Sequence, residues 1–184
     1  MTASNPVADN VVIEQLQRYD WTGWTDWTPF ATLNLKDVPS KPGAYVLSAT
    51  RPVNRAIDSD PMGILDIGET GKGYATLQGR LGDMRRCMVR RGDTGHMAGW
   101  RFSFFRFERH FPLDTLRVRW IPTATKEIAE GFEGRVMLTY LLRHAELPPL
   151  NYKANWRPFR ELGWKIFDDP ACFGGCASTT QRTE

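Results

Sequence analysis

Hydrophobic and polar positions change in a regular way from residue 41 onward. The turn signal Lys41-Pro42-Gly43 precedes a mostly apolar stretch, Ala44 to Thr50, which predicts a strand. The polar loop Arg51 to Pro61 separates this strand from a second apolar run, Gly63 to Ile67. The order of these segments predicts two strands joined as a long hairpin.

Two longer segments carry the spacing of helices. Apolar residues recur at intervals of three and four from Leu77 to Met88, which predicts an amphipathic helix from about Ala75 to Arg91. A second helix is predicted from about Thr125 to His144, because it starts at a Thr cap and has Glu in its first turns. A short helix is also predicted at Val11 to Arg18.

Two further runs between the long helices have the period of strands. Trp100 to Phe107 alternates aromatic and polar residues, and Leu116 to Pro122 places Leu, Val and Trp on one face and two arginines on the other. The resulting order is strand, strand, helix, strand, strand, helix. This order predicts a small α/β (α+β) domain with a mixed sheet and helices packed on it.

The length of 184 residues fits one domain with extensions. We expect a Trp-rich N-terminal extension at 1–38, the main domain at 39–152, and a C-terminal extension and tail at 153–184. Trp21, Trp24 and Trp27 in the first extension could stack on nucleic-acid bases, but aromatics in an extension more often cover apolar surface, so packing is the favoured interpretation.

Composition narrows the class of protein. With 41% apolar residues, 24% charged residues and a net charge of +3, the chain can bury a core. No run of about 18 apolar residues occurs and the start lacks the pattern of a secretory signal, so we expect no membrane association. Three cysteines suit a reducing compartment, and we expect a cytoplasmic protein. Cys172 and Cys176 have no second Cys or His pair to complete a zinc site.

The small net charge conceals a basic segment. Residues 80–120 contain ten arginines and only four acidic residues. Arginine binds phosphate through a planar bidentate fork, so this segment is a candidate footprint for a polyanion, although a solvated helix face is the alternative. On the helical wheel Arg80 borders the buried face, whereas Arg86 and Arg90 face solvent.

Five separate elements of the chain resemble the GIY-YIG nuclease superfamily in order and rough spacing. They are Pro42-Gly43-Ala44-Tyr45, Leu65-Asp66-Ile67-Gly68-Glu69-Thr70, Arg80, a Glu-bearing helix, and Pro148-Pro149-Leu150-Asn151. The resemblance covers about residues 39–152. It implies a three-stranded antiparallel sheet flanked by helices, and a divalent-metal-dependent endonuclease that hydrolyses DNA phosphodiester bonds, with RNA not excluded as substrate.

The resemblance also implies roles for individual residues. Tyr45 would accept a proton from the attacking water, and Arg80 would hold the scissile phosphate. Glu133 would ligate Mg²⁺ or Mn²⁺, and Asn151 would orient the site. Glu130 is the alternative metal ligand, but Glu133 is followed three and four residues later by apolar residues, as the family pattern requires.

The second motif departs from the family pattern, because Asp66 stands where a Tyr is expected. Tyr74 or Lys72 could have taken over the role of the missing phenol, or Asp66 could help to hold a metal. The alternative function is therefore a catalytically impaired nucleic-acid-binding module that keeps the fold.

Several residues outside the motifs are further candidates. His96 could serve as an auxiliary acid or a phosphate contact, since imidazole titrates near neutrality. Contacts to the DNA backbone are expected from one set of basic residues: Lys72, Arg85, Arg86, Arg90 and Arg91. A thiol enzyme based on Cys87 is a third alternative, but no signature joins this cysteine to a base. The oligomeric state is not indicated.

Overall fold

The computed structural model describes residues 15–70 and 75–154. Six strands occur there: β1 (Thr28–Pro29), β2 (Gly43–Ala49), β3 (Val53–Asn54), β4 (Ser59–Asp60), β5 (Ile64–Glu69) and β6 (Leu116–Pro122). The α-helices are α1 (Leu77–Val89), α2 (Met97–Phe104) and α3 (Lys126–His144). Four strands form an antiparallel sheet in the order β1-β6-β2-β5, and β3 and β4 form a separate pair.

The four-stranded sheet is covered on both faces. β2 is buried along its whole length because it is a central strand. Tyr45 and Leu47 on one face share a core with residues of α1 and α2, whereas Ala44 and Val46 on the other face share a second core with α3. Successive residues of a strand point to opposite faces, so one strand supplies both cores.

The ends of the two long helices follow from local hydrogen bonds. Thr76 caps α1 by accepting from the Gly79 amide at 3.2 Å, and Thr125 caps α3 by accepting from the Ile128 amide at 3.4 Å. α3 ends where Ala145 takes a left-handed conformation with φ of 54°. The two helices and the strands at 44–50, 63–67 and 116–122 confirm the predictions made from periodicity, to within one or two residues at most ends.

The prediction of a strand at Trp100 to Phe107 is wrong. This segment is mainly helix α2, whose N-terminus is capped by His96, and the aromatic residues Phe104 and Phe105 at its end are exposed. The alternation of aromatic and polar residues therefore did not reflect burial of one face of a strand. The sheet also has four strands rather than three, because β1 from the N-terminal segment pairs with β6.

The tryptophans near the N-terminus pack on the domain. Trp24 is buried and makes an edge contact with Phe132 of α3. The Arg119 guanidinium lies 4.4 Å from the ring centre of Trp21 and 5.1 Å from that of Trp27. These rings join the core on the α3 face of the sheet, in agreement with the favoured interpretation of the Trp series.

Some predictions fall on residues that the structure does not describe. The tail from residue 155 onward, including Cys172 and Cys176, and the first half of the predicted helix at Val11 to Arg18, residues 11–14, lie outside the described residues. Within the described ranges, none of the helices has the length and hydropathy that crossing a bilayer requires.

Candidate functional site

A cavity of about 520 Å³ lies beside the free edge of β5, where α1, α2 and α3 approach the strand. Its charged and polar lining includes Asp66, Glu69, Arg80, His96, Lys126, Glu130, Glu133, Asn151 and Lys153. Arg80, His96, Glu133 and Asn151, which sequence reasoning placed in one site, therefore line one cavity. Tyr45 does not line it, because its ring lies behind the cavity in the core.

A chain of hydrogen bonds joins Tyr45 to two residues of the cavity wall. The Tyr45 hydroxyl donates to Asp66 Oδ2 at 2.8 Å and lies 3.1 Å from His96 Nε2. Tyr45 and Leu47 point to the same face of β2, and Leu47 pairs with Asp66 on β5, so the two interacting side chains share that face. The sheet register thus holds the phenol against the carboxylate.

The direction of this chain follows from the position of His96 at the start of α2. His96 Nδ1 accepts a hydrogen bond from the Gly99 amide at 3.3 Å, so the imidazole proton lies on Nε2 and is donated to the Tyr45 oxygen. Burial, reinforced by the charge of Arg80, lowers the pKa of His96 to about 3. His96 is therefore a neutral donor and does not titrate near neutrality as an exposed imidazole would.

Burial raises the pKa of both acidic groups in this chain of hydrogen bonds, Tyr45 and Asp66. Burial and the neighbouring Asp66 charge raise the pKa of Tyr45 well above its ordinary value. Burial raises the pKa of Asp66 to about 6, while the Tyr45 hydrogen bond and the charges of Arg80 and Arg101 oppose this rise. Tyr45 therefore keeps its proton, and Asp66 is the member of the chain that changes charge near neutral pH.

Gly68 makes room for the Tyr45 side chain, which crosses β5 at that position. A Cβ added at Gly68 would lie 2.4 Å from the Tyr45 hydroxyl oxygen. We expect Gly68→Ala to displace the ring and to reduce the free energy of unfolding by about 2 kcal/mol, which lowers Tm by about 4–8 °C.

Calorimetry checks the expectation for Gly68 against a matched alanine variant. A Cβ at Gly131 in α3 meets no atom of the described residues within 4 Å, so Gly131→Ala should raise the free energy of unfolding by a few tenths of a kcal/mol to about 1 kcal/mol. Equal effects of the two substitutions would contradict the close packing of Tyr45 over Gly68.

Arg80 extends from α1 into the cavity, where its side chain interacts with the Tyr45 hydroxyl but forms no ion pair with any described residue. Its Nε atom is buried without a hydrogen-bond partner, and among the described residues no carboxylate lies within the 4.0 Å of an ion pair. The carboxylates of Asp66, Glu69 and Glu133 are still near enough to interact with it electrostatically. Its guanidinium is available for an anion that enters the cavity.

Carboxylates from β5 and α3 meet on the opposite wall. Burial, followed by the charges of Glu69 and Asp66, raises the pKa of Glu133 to about 8. Glu130 instead pairs with Lys126 at 2.6 Å. The two α3 carboxylates thus differ. Glu130 has a cationic partner, whereas Glu133 lies near other carboxylates, so its ionised form would be stabilised by a bound cation.

The donor set around Glu133 is compatible with a hard divalent cation. Among residues 15–70 and 75–154 no group of three or more His, Cys, Asp or Glu side chains is arranged to enclose a metal. Mg²⁺, however, is usually held by one or two carboxylates and keeps several waters. Glu133 and Glu69 meet that requirement, since Glu69 Oε2 is buried without a hydrogen-bond partner among the described residues.

Asn151 holds the chain beyond α3 against β5. Its Oδ1 accepts from the Ile67 amide at 3.0 Å and its Nδ2 donates to the Ile67 carbonyl at 2.8 Å. The Leu150 amide also donates to the Leu65 carbonyl at 2.9 Å. These bonds satisfy backbone groups at the open edge of the sheet, so Asn151 fixes the strand that carries Asp66.

The candidate phosphate-binding arginines in α1 and directly after it differ in whether other groups already bind them. Arg85 donates to the Leu33 carbonyl at 2.7 Å, and Arg86 pairs with Asp83 at 2.9 Å and with Asp93 at 2.7 Å. Arg91 pairs with Glu108 at 3.3 Å. Arg90 is exposed and forms no ion pair within the described part of the chain. Lys72 and Tyr74 lie outside the described residues.

Sequence reasoning missed three charged residues of the cavity, Glu69, Lys126 and Lys153. Glu69 directly follows the Gly of the second motif, and Lys126 stands four residues before Glu130, which is the spacing of a helical ion pair. Both signals were readable, but neither indicated on its own that the residue faces a cavity.

Comparisons of the chain with protein-family models, curated proteins and solved structures find no match. The function must therefore be inferred from the cavity itself. The cavity combines an unpaired guanidinium, a carboxylate with a pKa near neutrality and a pair of carboxylates suited to a cation. Such a set can bind a phosphate group, accept a proton and hold a divalent metal.

Proposed function

We propose that the protein is a divalent-metal-dependent endonuclease of the GIY-YIG type that hydrolyses phosphodiester bonds in DNA. The observation that carries this proposal is the unpaired Arg80 guanidinium in the same cavity as Asp66 and Glu133. Phosphodiester hydrolysis needs an activated water and neutralisation of the phosphate oxygens, and these residue types supply both needs.

Asp66 is assigned as the proton acceptor in place of Tyr45. Asp66 lines the cavity, and its pKa of about 6 leaves it mostly ionised at pH 7 and above. A base with a pKa close to the working pH is effective in proton transfer. Tyr45 retains its proton and acts as a positioning residue, because its hydroxyl fixes the orientation of the carboxylate from behind.

Arg80 is assigned to the scissile phosphate. Its guanidinium has several donors and forms no competing ion pair within residues 15–70 and 75–154, so it can bind two oxygens of a phosphodiester at once. Packing of α1 against the sheet keeps the side chain half-buried, which limits its freedom before substrate binds. Negative charge that develops on the phosphate would be stabilised by this preorganised donor.

Glu133 and Glu69 are assigned as ligands of Mg²⁺ or Mn²⁺, with Glu130 as the less suitable alternative because it pairs with Lys126. A bound cation would supply Lewis-acid stabilisation of the phosphate oxygens. Asn151 keeps β5 and therefore Asp66 and Glu69 in place.

Nicking of a supercoiled plasmid in the presence of Mg²⁺ or Mn²⁺ tests this function. We expect cleavage by the native protein that EDTA stops, and a rate about 10²-fold lower for Arg80→Ala, because a preorganised donor to the phosphate is lost. Arg143→Ala is the matched control, since that exposed arginine at the end of α3 contacts the Gln17 carbonyl and the Tyr19 ring and does not line the cavity. Its rate should equal that of the native protein.

The same experiment separates the nuclease from the alternative function. A protein that binds DNA with a steep dependence on salt but cleaves nothing with either metal would be a binding module that keeps the fold. Cleavage that survives Arg80→Ala undiminished would contradict the assignment of the phosphate site to this cavity.

A further inference from the structure

Helix α2 carries large apolar side chains on both of its faces. Phe102 on one face is buried in the core shared with α1. On the other side Phe104 and Phe105 are 61% and 53% exposed, and Trp100 is half-buried beside them. We call Trp100, Phe104 and Phe105 the aromatic patch. Exposed clusters of large aromatic residues indicate a binding surface, because single scattered apolar residues are the norm.

The rings of the aromatic patch are ordered against one another. Trp100 and Phe104 stack with ring centres 4.7 Å apart and an angle of 22° between their planes. Phe104 and Phe105 meet edge to face at 5.1 Å. The stacked pair follows from the helix itself, since residues four apart lie on the same side. The result is a set of supported flat surfaces that a further planar ring can join.

Positive charge surrounds the aromatic patch. The Arg101 guanidinium lies 5.5 Å from the ring centre of Phe105, and its charge also acts on Asp66 in the cavity. Arg106 follows the patch directly and shares Glu108 with Arg91, at 3.9 Å and 3.3 Å. Two guanidinium groups thus compete for one carboxylate. Flat apolar rings bordered by arginines match a partner that carries both planar bases and phosphates.

The aromatic patch is continuous with the cavity through α2. His96, Met97 and Ala98 at the start of the helix line the cavity, and Phe104 stands at the other end. Seven residues of helix span about 10 Å. Stacked nucleotides follow one another at about 3.4 Å along a strand, so the patch lies about three nucleotides from a phosphate in the cavity.

We propose that the aromatic patch binds unpaired bases of a single strand whose phosphodiester lies in the cavity. The inference rests on the proposed nuclease function and specifies its substrate class: nucleic acid with a single-stranded segment next to the cleaved bond, rather than continuous duplex. Bases paired within a duplex are stacked on their own neighbours and cannot present their faces to protein rings.

Fluorescence anisotropy with a labelled oligothymidylate in EDTA tests this binding without any cleavage. We expect the native protein to bind the single strand more tightly than a blunt hairpin duplex with the same number of nucleotides. The double variant with Phe104→Leu and Phe105→Leu keeps the apolar character but removes the stacking surfaces. Its affinity for the single strand should fall about ten- to hundredfold, with unchanged affinity for the duplex.

Two controls make the result specific to stacking. An abasic oligonucleotide has the same phosphates without bases, so its weaker binding should be the same for both proteins. Ile57→Ala, which alters an apolar residue 57% exposed at the turn between β3 and β4, should leave binding to oligothymidylate unchanged. The proposal is overturned if the double variant binds the single strand with the same affinity as the native protein does. It is also overturned if the variant's affinity for the abasic oligonucleotide falls by the same factor as its affinity for the single strand.

The outcome is independent of the nuclease assignment. Loss of single-strand binding in the double variant supports a base-stacking surface even in a protein that cleaves no plasmid, in which case the nuclease function alone fails. Plasmid cleavage by a protein whose single-strand affinity does not depend on the aromatic rings overturns the stacking proposal and leaves the nuclease function standing. In that case an apolar surface of a protein partner becomes the alternative ligand of the aromatic patch.

Discussion

Replacement of Asp66 by asparagine is expected to slow cleavage by about 10²- to 10⁴-fold. The amide keeps the shape of the side chain and its contact with Tyr45 but cannot accept the proton of the attacking water. Since the pKa of Asp66 is about 6, the native rate at saturating metal should rise with pH through that value and level off above it. The residual activity of Asp66→Asn should lack this rise.

Rates measured from pH 5 to pH 9 with an oligonucleotide substrate provide the test. Asp114→Asn is the matched control, because that carboxylate is exposed in a short 3-10 turn outside the cavity, and the variant should keep the native profile. If Asp66→Asn retained the native rate, or lost rate but kept the rise near pH 6, another group would be the base.

Tyr45→Phe separates positioning from direct catalysis in the same measurement. The Tyr45 hydrogen bond stabilises the ionised form of Asp66 and so lowers its pKa. Removal of the hydroxyl should move the rise in the profile to higher pH by about one unit. A plateau reached at that higher pH identifies Tyr45 as a positioning residue, whereas a direct proton acceptor would lose rate at every pH.

Much of the fold could be predicted because the segments concerned obey one clear period. The apolar stripe from Leu77 to Met88 fits only a helix, and the alternation from Leu116 to Pro122 fits only a strand, which the structure then covers on both faces. α2 could not be predicted in this way. The exposed rings of Phe104 and of Phe105, directly after the helix, give this segment the alternation of a strand, because periodicity alone does not show which aromatic residues are buried.

The parts of the site that could be predicted are likewise those that depend on the geometry of a single segment. Arg80 was placed correctly beside the buried face because helix geometry fixes that relation within one segment. The bond between Tyr45 and Asp66 depends on the register of β2 and β5, which includes an irregularity between Leu47 and Ser48. Register depends on contacts between distant segments, so in the sequence the two residues belong to separate motifs and nothing indicates that they form one hydrogen-bonded pair.

The two hydrogen bonds of Asn151 to Ile67 also depend on sheet topology, which the sequence does not show. The sequence predicts a residue that orients the site, but the two hydrogen bonds to Ile67 exist only because β5 is an edge strand with free backbone groups. The fourth strand of the sheet, β1, pairs with β6 at the opposite edge, so no strand pairs with the outer side of β5. A short N-terminal strand of two residues gives almost no signal of its own in the sequence.

Replacement of Glu133 by glutamine is expected to remove the response of the protein to divalent metal and to slow cleavage by about 10³-fold. The pKa of about 8 for Glu133 exceeds its ordinary value of 4.5, so the folded state retains a proton that the unfolded state has released between these values. Unfolding in metal-free buffer therefore becomes easier as the pH rises from about 5 to 8. Glutamine has no proton to lose, so Glu133→Gln should show a smaller decline.

Calorimetry with and without Mg²⁺ at pH 6 and pH 8 separates these contributions, because a cation that binds the carboxylate must displace its proton. Added Mg²⁺ should raise the Tm of the native protein more at pH 8 than at pH 6, and should not raise that of Glu133→Gln at either pH. Glu127→Gln is the matched control, since Glu127 is exposed in the first turn of the same helix and does not line the cavity. A Tm increase that persisted in Glu133→Gln would move the metal to other ligands, and a native Tm independent of pH would show that Glu133 is already ionised without a cation.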